Sequence, residues 1–188
     1  MRINKLKEQK GFTLIELLIS VGVISILASI VVAALTDARE GARNNRRNEM
    51  ARQYVTALEL YFSENGTFPD GGCTDSDVCD PVTYVCLGDG YPAGTCYIWG
   101  AHSENSTVNT QLSEYAPAMP PLLDEAVSGA TTFLGAAYGC LDETTCKGYR
   151  LSWVLEGEGS DADCFGGATE NDLGPVSLCT FTGGSLGN

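Results

Sequence analysis

One carboxylate stands in an otherwise unbroken apolar run. In "KGFTLIELLISVGVISILASIVVAAL", residues 10–35, Glu16 is the only charged residue after Lys10. From Phe12 onward the run has 24 residues, about 36 Å at helical rise, enough to cross a hydrocarbon core of about 30 Å. A carboxylate costs roughly 2.5 to 3.5 kcal/mol at the centre of such a span and less near an end, so it calls for a partner. No basic side chain lies within helical reach on the apolar side. Cleavage after Gly11 would create one, the freed α-amino group of Phe12, one turn from Glu16. Between staggered neighbours that amine and Glu16 would neutralise each other across an interface that is otherwise apolar.

The other chemistry-bearing residues lie far downstream. All eight cysteines, Cys73, Cys79, Cys86, Cys96, Cys140, Cys146, Cys164 and Cys179, follow residue 72. Their even number, the absence of a C-x-x-C pair and a single histidine (His102) point to disulfides rather than zinc or redox chemistry. Spacing leaves the connectivity open. Sequential local pairs (73 with 79, 86 with 96, 140 with 146, 164 with 179) are the simplest expectation. Two acidic clusters sit in loops with Gly or Ser neighbours: Asp70, Asp75, Asp77 and Asp80, and Glu156, Glu158, Asp161 and Asp163. Calcium takes about six to eight hard oxygens from flexible loops, so it is the one cofactor left open. Neither cluster has EF-hand spacing, and surface acidity that keeps an exported chain soluble is the simpler reading. With one imidazole and no G-x-S-x-G, Walker loop or G-x-G-x-x-G, no catalytic assembly is expected.

The elements that must position these residues follow from pattern and charge. Residues 1–11 carry four bases against Glu8, residues 12–59 balance five arginines against five acids, and residues 60–188 carry 18 acids against Lys147 and Arg150. So acidic a body repels phosphate backbones, and no nucleic-acid partner is expected for it. After the apolar run, Met50, Tyr54, Leu58 and Tyr61, with Ala51, Ala57 and Phe62 beside them, recur at three- and four-residue intervals. This predicts one continuous helix of about 50 residues, roughly 75 Å long, with Gly22 and Gly41 as its weak points. It should end near "SENGTFP", where Asn65-Gly66 stops it and Pro69 forbids a restart. The basic residues Arg39, Arg43, Arg46, Arg47 and Arg52 follow the span. They suit lipid headgroup phosphates, or the acidic bodies of adjacent subunits in an assembly.

Beyond the helix, "YRLSWVLE" alternates with Val154 as the exception and predicts a half-buried strand. "TYVCL", "TCYIW" and "VSLCTFT" are further strand candidates. A sheet of three or four antiparallel strands packed on the long helix is expected, with a short helix at 122–127. The fold class is α+β, disulfide-stabilised. Its parts are a leader (1–11), an apolar helix (12–35), its amphipathic continuation (36–65) and an acidic Cys-rich β domain (66–188).

The basic leader, the string Gly11-Phe12-Thr13-Leu14-Ile15-Glu16 and the apolar helix together resemble the class III signal of type IV pilins and type II secretion pseudopilins. "ALELYFSENGTFP" also resembles the end of the long helix in that family. The resemblance implies a prepilin peptidase that cuts after Gly11 and methylates the new N-terminal Phe12. It also implies that Glu16 pairs with a neighbour's terminal amine during filament assembly. Many type IV pilins place a proline within the apolar helix; this span has none, so no kink is expected. Major pseudopilins hold calcium in a C-terminal loop, which favours the cluster at Glu156, Glu158, Asp161 and Asp163. The implied partners are identical subunits, the peptidase and an inner-membrane assembly platform. The expected disulfides place the C-terminus outside; the implied precursor is single-pass in the inner membrane and becomes a surface filament after assembly. A pseudopilin is the alternative, and a membrane-anchored binding module that never polymerises the second. Four disulfides and an acidic surface favour the surface pilus.

Overall fold

The computed structural model describes residues 11–69, 84–88, 91, 95–97, 101–116, 135–141, 146–157, 163–174 and 176–184. The chain divides into two compact units, Met1–Gly41 and Ala42–Asn188.

The first unit is dominated by the start of α1 (Leu14–Asn65), a helix of 52 residues without proline. Its large apolar side chains from Phe12 to Leu35 are all exposed. An 18-residue window in this helix has a mean hydropathy of 2.7, long and apolar enough to cross a membrane. The few hydroxyls in the run turn inward onto their own backbone. Ser20 donates to the Glu16 carbonyl (2.7 Å), Ser25 to that of Val21 (2.8 Å) and Thr36 to that of Val32 (3.1 Å). In an apolar medium each polar group must be satisfied within the segment, and these bonds do that.

In the second unit the rest of α1 contributes the stripe expected from its periodicity. Met50, Ala51, Tyr54, Ala57 and Leu58 are buried, with Tyr61 and Phe62 at the edge of the core. The helix stops where Asn65-Gly66 predicts. Gly66 adopts φ +74° and donates its N–H to the Phe62 carbonyl at 2.8 Å, a conformation that costs a residue with a Cβ more than it costs glycine. Phe68 then turns back into the core, stacked on Phe62 with ring centroids 4.6 Å apart. Its N–H donates to the Cys146 carbonyl at 2.8 Å.

The remaining elements are β1 (Val85–Leu87), β2 (Thr95–Tyr97), β3 (Ala101–Ser103), α2 (Ser106–Ser113), β4 (Ala136–Cys140), β5 (Gly148–Glu156), β6 (Thr169–Asp172) and β7 (Val176–Gly184). Five of the strands form one antiparallel sheet in the order β1-β4-β5-β7-β6. This exceeds the expected three or four. β4 and β6 were not anticipated, and the "TCYIW" candidate supplies β2 of a separate hairpin with β3. One face of the sheet packs on α1 through Tyr138, Tyr149, Leu151, Trp153, Leu155 and Cys179. Buried aromatics of this kind each remove about 150 to 250 Å² from water and dominate such a core.

The expected half-buried character of β5 needs correction. Val154 packs on the opposite face with Ala137, Val176 and Leu178, with Tyr84 and Leu173 alongside, so around Val154 the strand is covered on both sides. α2 was also unanticipated. Asn105 caps it, accepting from the N–H groups of Thr107 (3.0 Å) and Val108 (3.1 Å), while Val108 and Leu112 face the core. The helix expected at 122–127 lies outside the described residues.

Disulfides join Cys86 to Cys96, Cys140 to Cys146, and Cys164 to Cys179, as the sequential scheme expects. Cys73 and Cys79 lie outside the described residues. The first bond ties β1 to the β2-β3 hairpin, and the last fastens the loop before β6 to the buried centre of β7.

Candidate functional site

The start of α1 is held by a reciprocal pair of contacts. Thr13 precedes the first helical residue, and its hydroxyl accepts from the Glu16 N–H at 3.3 Å. The Glu16 carboxylate reaches back, accepting from the Thr13 N–H (3.0 Å) and the Thr13 hydroxyl (2.8 Å). This is a capping box. It satisfies helix-start donors that have no partner within the helix, and it places a negative charge at the positive end of the helix dipole. Gly11 and Phe12 precede it outside the helix, with Phe12 fully open to its surroundings. The Glu16 carboxylate is therefore accessible, fixed in direction and one turn from Phe12.

The arginine cluster separates into different roles. Arg43 and Arg47, one turn apart on α1, both bind Glu156 at the end of β5. Arg43 Nε donates to Glu156 Oε1 at 2.8 Å, its second nitrogen takes the other oxygen, and Arg47 donates to Oε1 at 3.0 Å. Asn44, between them, accepts from the Glu156 N–H (2.8 Å) and donates to the Glu156 carbonyl (2.7 Å). Asn48, one turn on, accepts from the Trp153 indole at 3.0 Å and donates to the Asp163 carbonyl at 2.7 Å. Burial alone would raise the Glu156 carboxyl, but the hydrogen bonds and charges of Arg43 and Arg47 outweigh it and hold it below the usual carboxylate range.

Two expectations change here. Arg43 and Arg47 bind a carboxylate of their own chain, while Arg39 and Arg46 remain exposed. Arg52 lies over the Phe165 ring, 5.2 Å from its centroid. Glu156 is likewise corrected as a calcium candidate, because both its oxygens face guanidinium groups that repel a cation. Asp163 is exposed, while Glu158 and Asp161, and the whole cluster of Asp70, Asp75, Asp77 and Asp80, lie outside the described residues. His102 sits on β3, its ring 5.7 Å from that of Tyr84.

Comparison with known proteins gives this arrangement its context. Residues 6–32 match the family model described as the prokaryotic N-terminal methylation motif. The match spans Gly11, Phe12, the Thr13–Glu16 box and most of the apolar run. Over 133 residues the chain is 26% identical to the type IV wide pilus major component PilA4 of Thermus thermophilus, covering 60% of this chain and all of that protein. Over 156 residues it is 29% identical to the type IV major fimbrial protein FimA of Dichelobacter nodosus, covering 79% of this chain and 82% of that one. The chain is thus similar to type IV pilins, most specifically in its N-terminal methylation motif. On the pseudopilin side, it is 33% identical over 67 residues to the type II secretion system core protein G of Vibrio cholerae, covering 36% of this chain and 46% of that protein. No solved structure matches significantly.

At this helix start, Thr13 is the residue that reasoning from charge missed. Glu16 was expected to wait for an amine, whereas here it already has partners on Thr13. The signal was present as T-x-x-E at a helix start, the sequence signature of a capping box.

Proposed function

We propose that this chain is the structural subunit of a type IV pilus-like filament. In this reading a prepilin peptidase cuts after Gly11 and methylates Phe12. The precursor crosses the inner membrane once with its disulfide-bonded part outside. An assembly platform then extracts it and stacks it on identical subunits through the apolar helix. The role is structural rather than catalytic. The single observation that carries it is an exposed apolar helix with one carboxylate held at its first turn, inside a segment that matches the methylation motif. Exposed on every side, such a helix needs either lipid or neighbouring helices around it.

Glu16 has two successive roles in this reading. Before cleavage, Thr13 occupies its carboxylate and lowers the cost of holding a charge near the membrane. After cleavage, the cationic terminus of an adjoining subunit becomes a stronger partner than a hydroxyl and a neutral N–H.

The likeness to a secretion-system core protein supports a pseudopilin as the second reading, with the same processing. Mass spectrometry of the mature N-terminus tests both against a static anchor. N-methyl-phenylalanine at residue 12 is the expected result, and a chain that keeps residues 1–11 overturns the processing. Electron microscopy of the cell surface separates pilus from pseudopilus.

A further inference from the structure

The face of the sheet turned away from α1 carries a polar groove that the filament reading does not use. Its walls come from β5, β7 and β6, where the register sets Arg150 opposite Thr182, Ser152 opposite Thr180, and Thr180 opposite Thr169. The groove has a volume of about 350 Å³ and is also lined by Tyr84, Asn171 and Leu178. That lies within the size range of small-molecule sites, about 300 to 1,000 Å³. The alternation that sends Leu151 and Phe181 toward α1 sends hydroxyls outward, giving a ladder of donors and acceptors across three strands.

Arg150 makes the groove more than a polar surface. Its guanidinium donates through one terminal nitrogen to the Tyr84 hydroxyl at 3.4 Å. Its Nε–H is buried and has no hydrogen-bond partner among the described residues. Arg150 lines the groove, and a carboxylate answers the terminal nitrogens of a guanidinium as a fork. Arg150 is one of two bases among residues 60–188 against 18 acids. Polyanions are repelled by that surround, whereas a ligand with one negative charge escapes most of the repulsion.

We infer that this groove binds a small carboxylated sugar, with Arg150 receiving the carboxylate and Thr180, Thr182 and Asn171 meeting the ring hydroxyls. The inference is independent of filament assembly.

Titration of the full chain in detergent micelles, followed by backbone amide shifts, tests it with glucuronate, glucose, acetate and inorganic phosphate as probes. Glucuronate is expected to saturate with shifts at Ser152, Thr180 and Thr182, and to bind at least about tenfold more tightly than glucose or acetate. Arg150→Lys keeps the charge but loses the planar guanidinium fork, and should weaken glucuronate about tenfold with little effect on glucose. Asn171→Ala, at an exposed edge that leaves the core intact, should weaken both sugars and decides the matter if the Arg150 variant fails to fold. The inference is overturned if glucuronate does not saturate, if acetate or phosphate binds as well, or if neither variant weakens it. It is also overturned if raising the protein concentration alone reproduces the shifts, which would make a second copy of the chain the occupant.

Discussion

Arg47, only 2% exposed on the inner face of α1, donates at 3.0 Å to the carboxylate of Glu156 at the far end of β5. The two residues lie 109 positions apart, and with Arg43 and Asn44 they fasten one turn of helix to the end of one strand. A buried cation whose partner is removed keeps its desolvation cost and loses the compensation. Glu156→Gln is therefore expected to destabilise the folded unit by about 3 kcal/mol, read as a lower thermal midpoint. Arg43→Ala should cost less, because the Arg43 side chain is 31% exposed and water replaces part of what it loses.

The same pair sets an acid dependence. The folded state holds the Glu156 carboxyl below its ordinary value, so the folded state binds its proton less readily than the unfolded state does. The stability it contributes is present above the unfolded glutamate value of about 4.3 and fades as pH falls through the lower folded value. Thermal midpoints measured from pH 6 downward should fall more steeply for the wild-type chain than for Glu156→Gln. Parallel curves for the two proteins would show that the arginines do not hold the charge.

Cys164 and Cys179 are separated by 15 residues, and closing a loop of that size stabilises by about 3 kcal/mol in the chain-entropy description. Cys140 and Cys146 are separated by only 6, so their contribution should be smaller. Serine at both positions of the first pair should lower the denaturation midpoint more than serine at both positions of the second. Equal losses would mean that packing, not loop closure, governs both.

Glu16→Gln removes the anion but retains an amide able to accept from Thr13. Cleavage after Gly11 should proceed normally while fibre yield collapses, as judged by sheared filament preparations beside an N-terminal analysis. Abundant fibres from this variant would show that assembly does not need the charge. Thr13→Val tests the capping box instead. It should leave fibres intact but weaken the helix start by about 1 kcal/mol, seen as roughly fivefold faster exchange of the Glu16 amide.

The parts legible in the sequence were those governed by local rules. The end of α1 at Asn65-Gly66, the stripe from Met50 to Leu58 and the strand β5 each follow from periodicity or turn chemistry within a few residues. Val154, the residue that broke the alternation, marked a second covered face rather than noise. The polar strand β6, "TEND", has no apolar signal because its place rests on backbone pairing with β7. The clasp on Glu156 joins residues more than a hundred positions apart, a pairing no local pattern reveals, although Arg43 and Arg47 continue the stripe of Ala51, Tyr54 and Leu58 backward at four-residue steps. Thr13 was readable through T-x-x-E, but attention to charge drew the reading toward an absent amine.

β6 also bears on what crowding would do to such a chain. It closes one side of the sheet with four exposed residues, two of them Glu170 and Asp172. An open row of backbone donors and acceptors invites another strand to add on, and anions along a short margin discourage it. Packed side by side at high density, these molecules are thereby steered away from runaway amyloid-like growth.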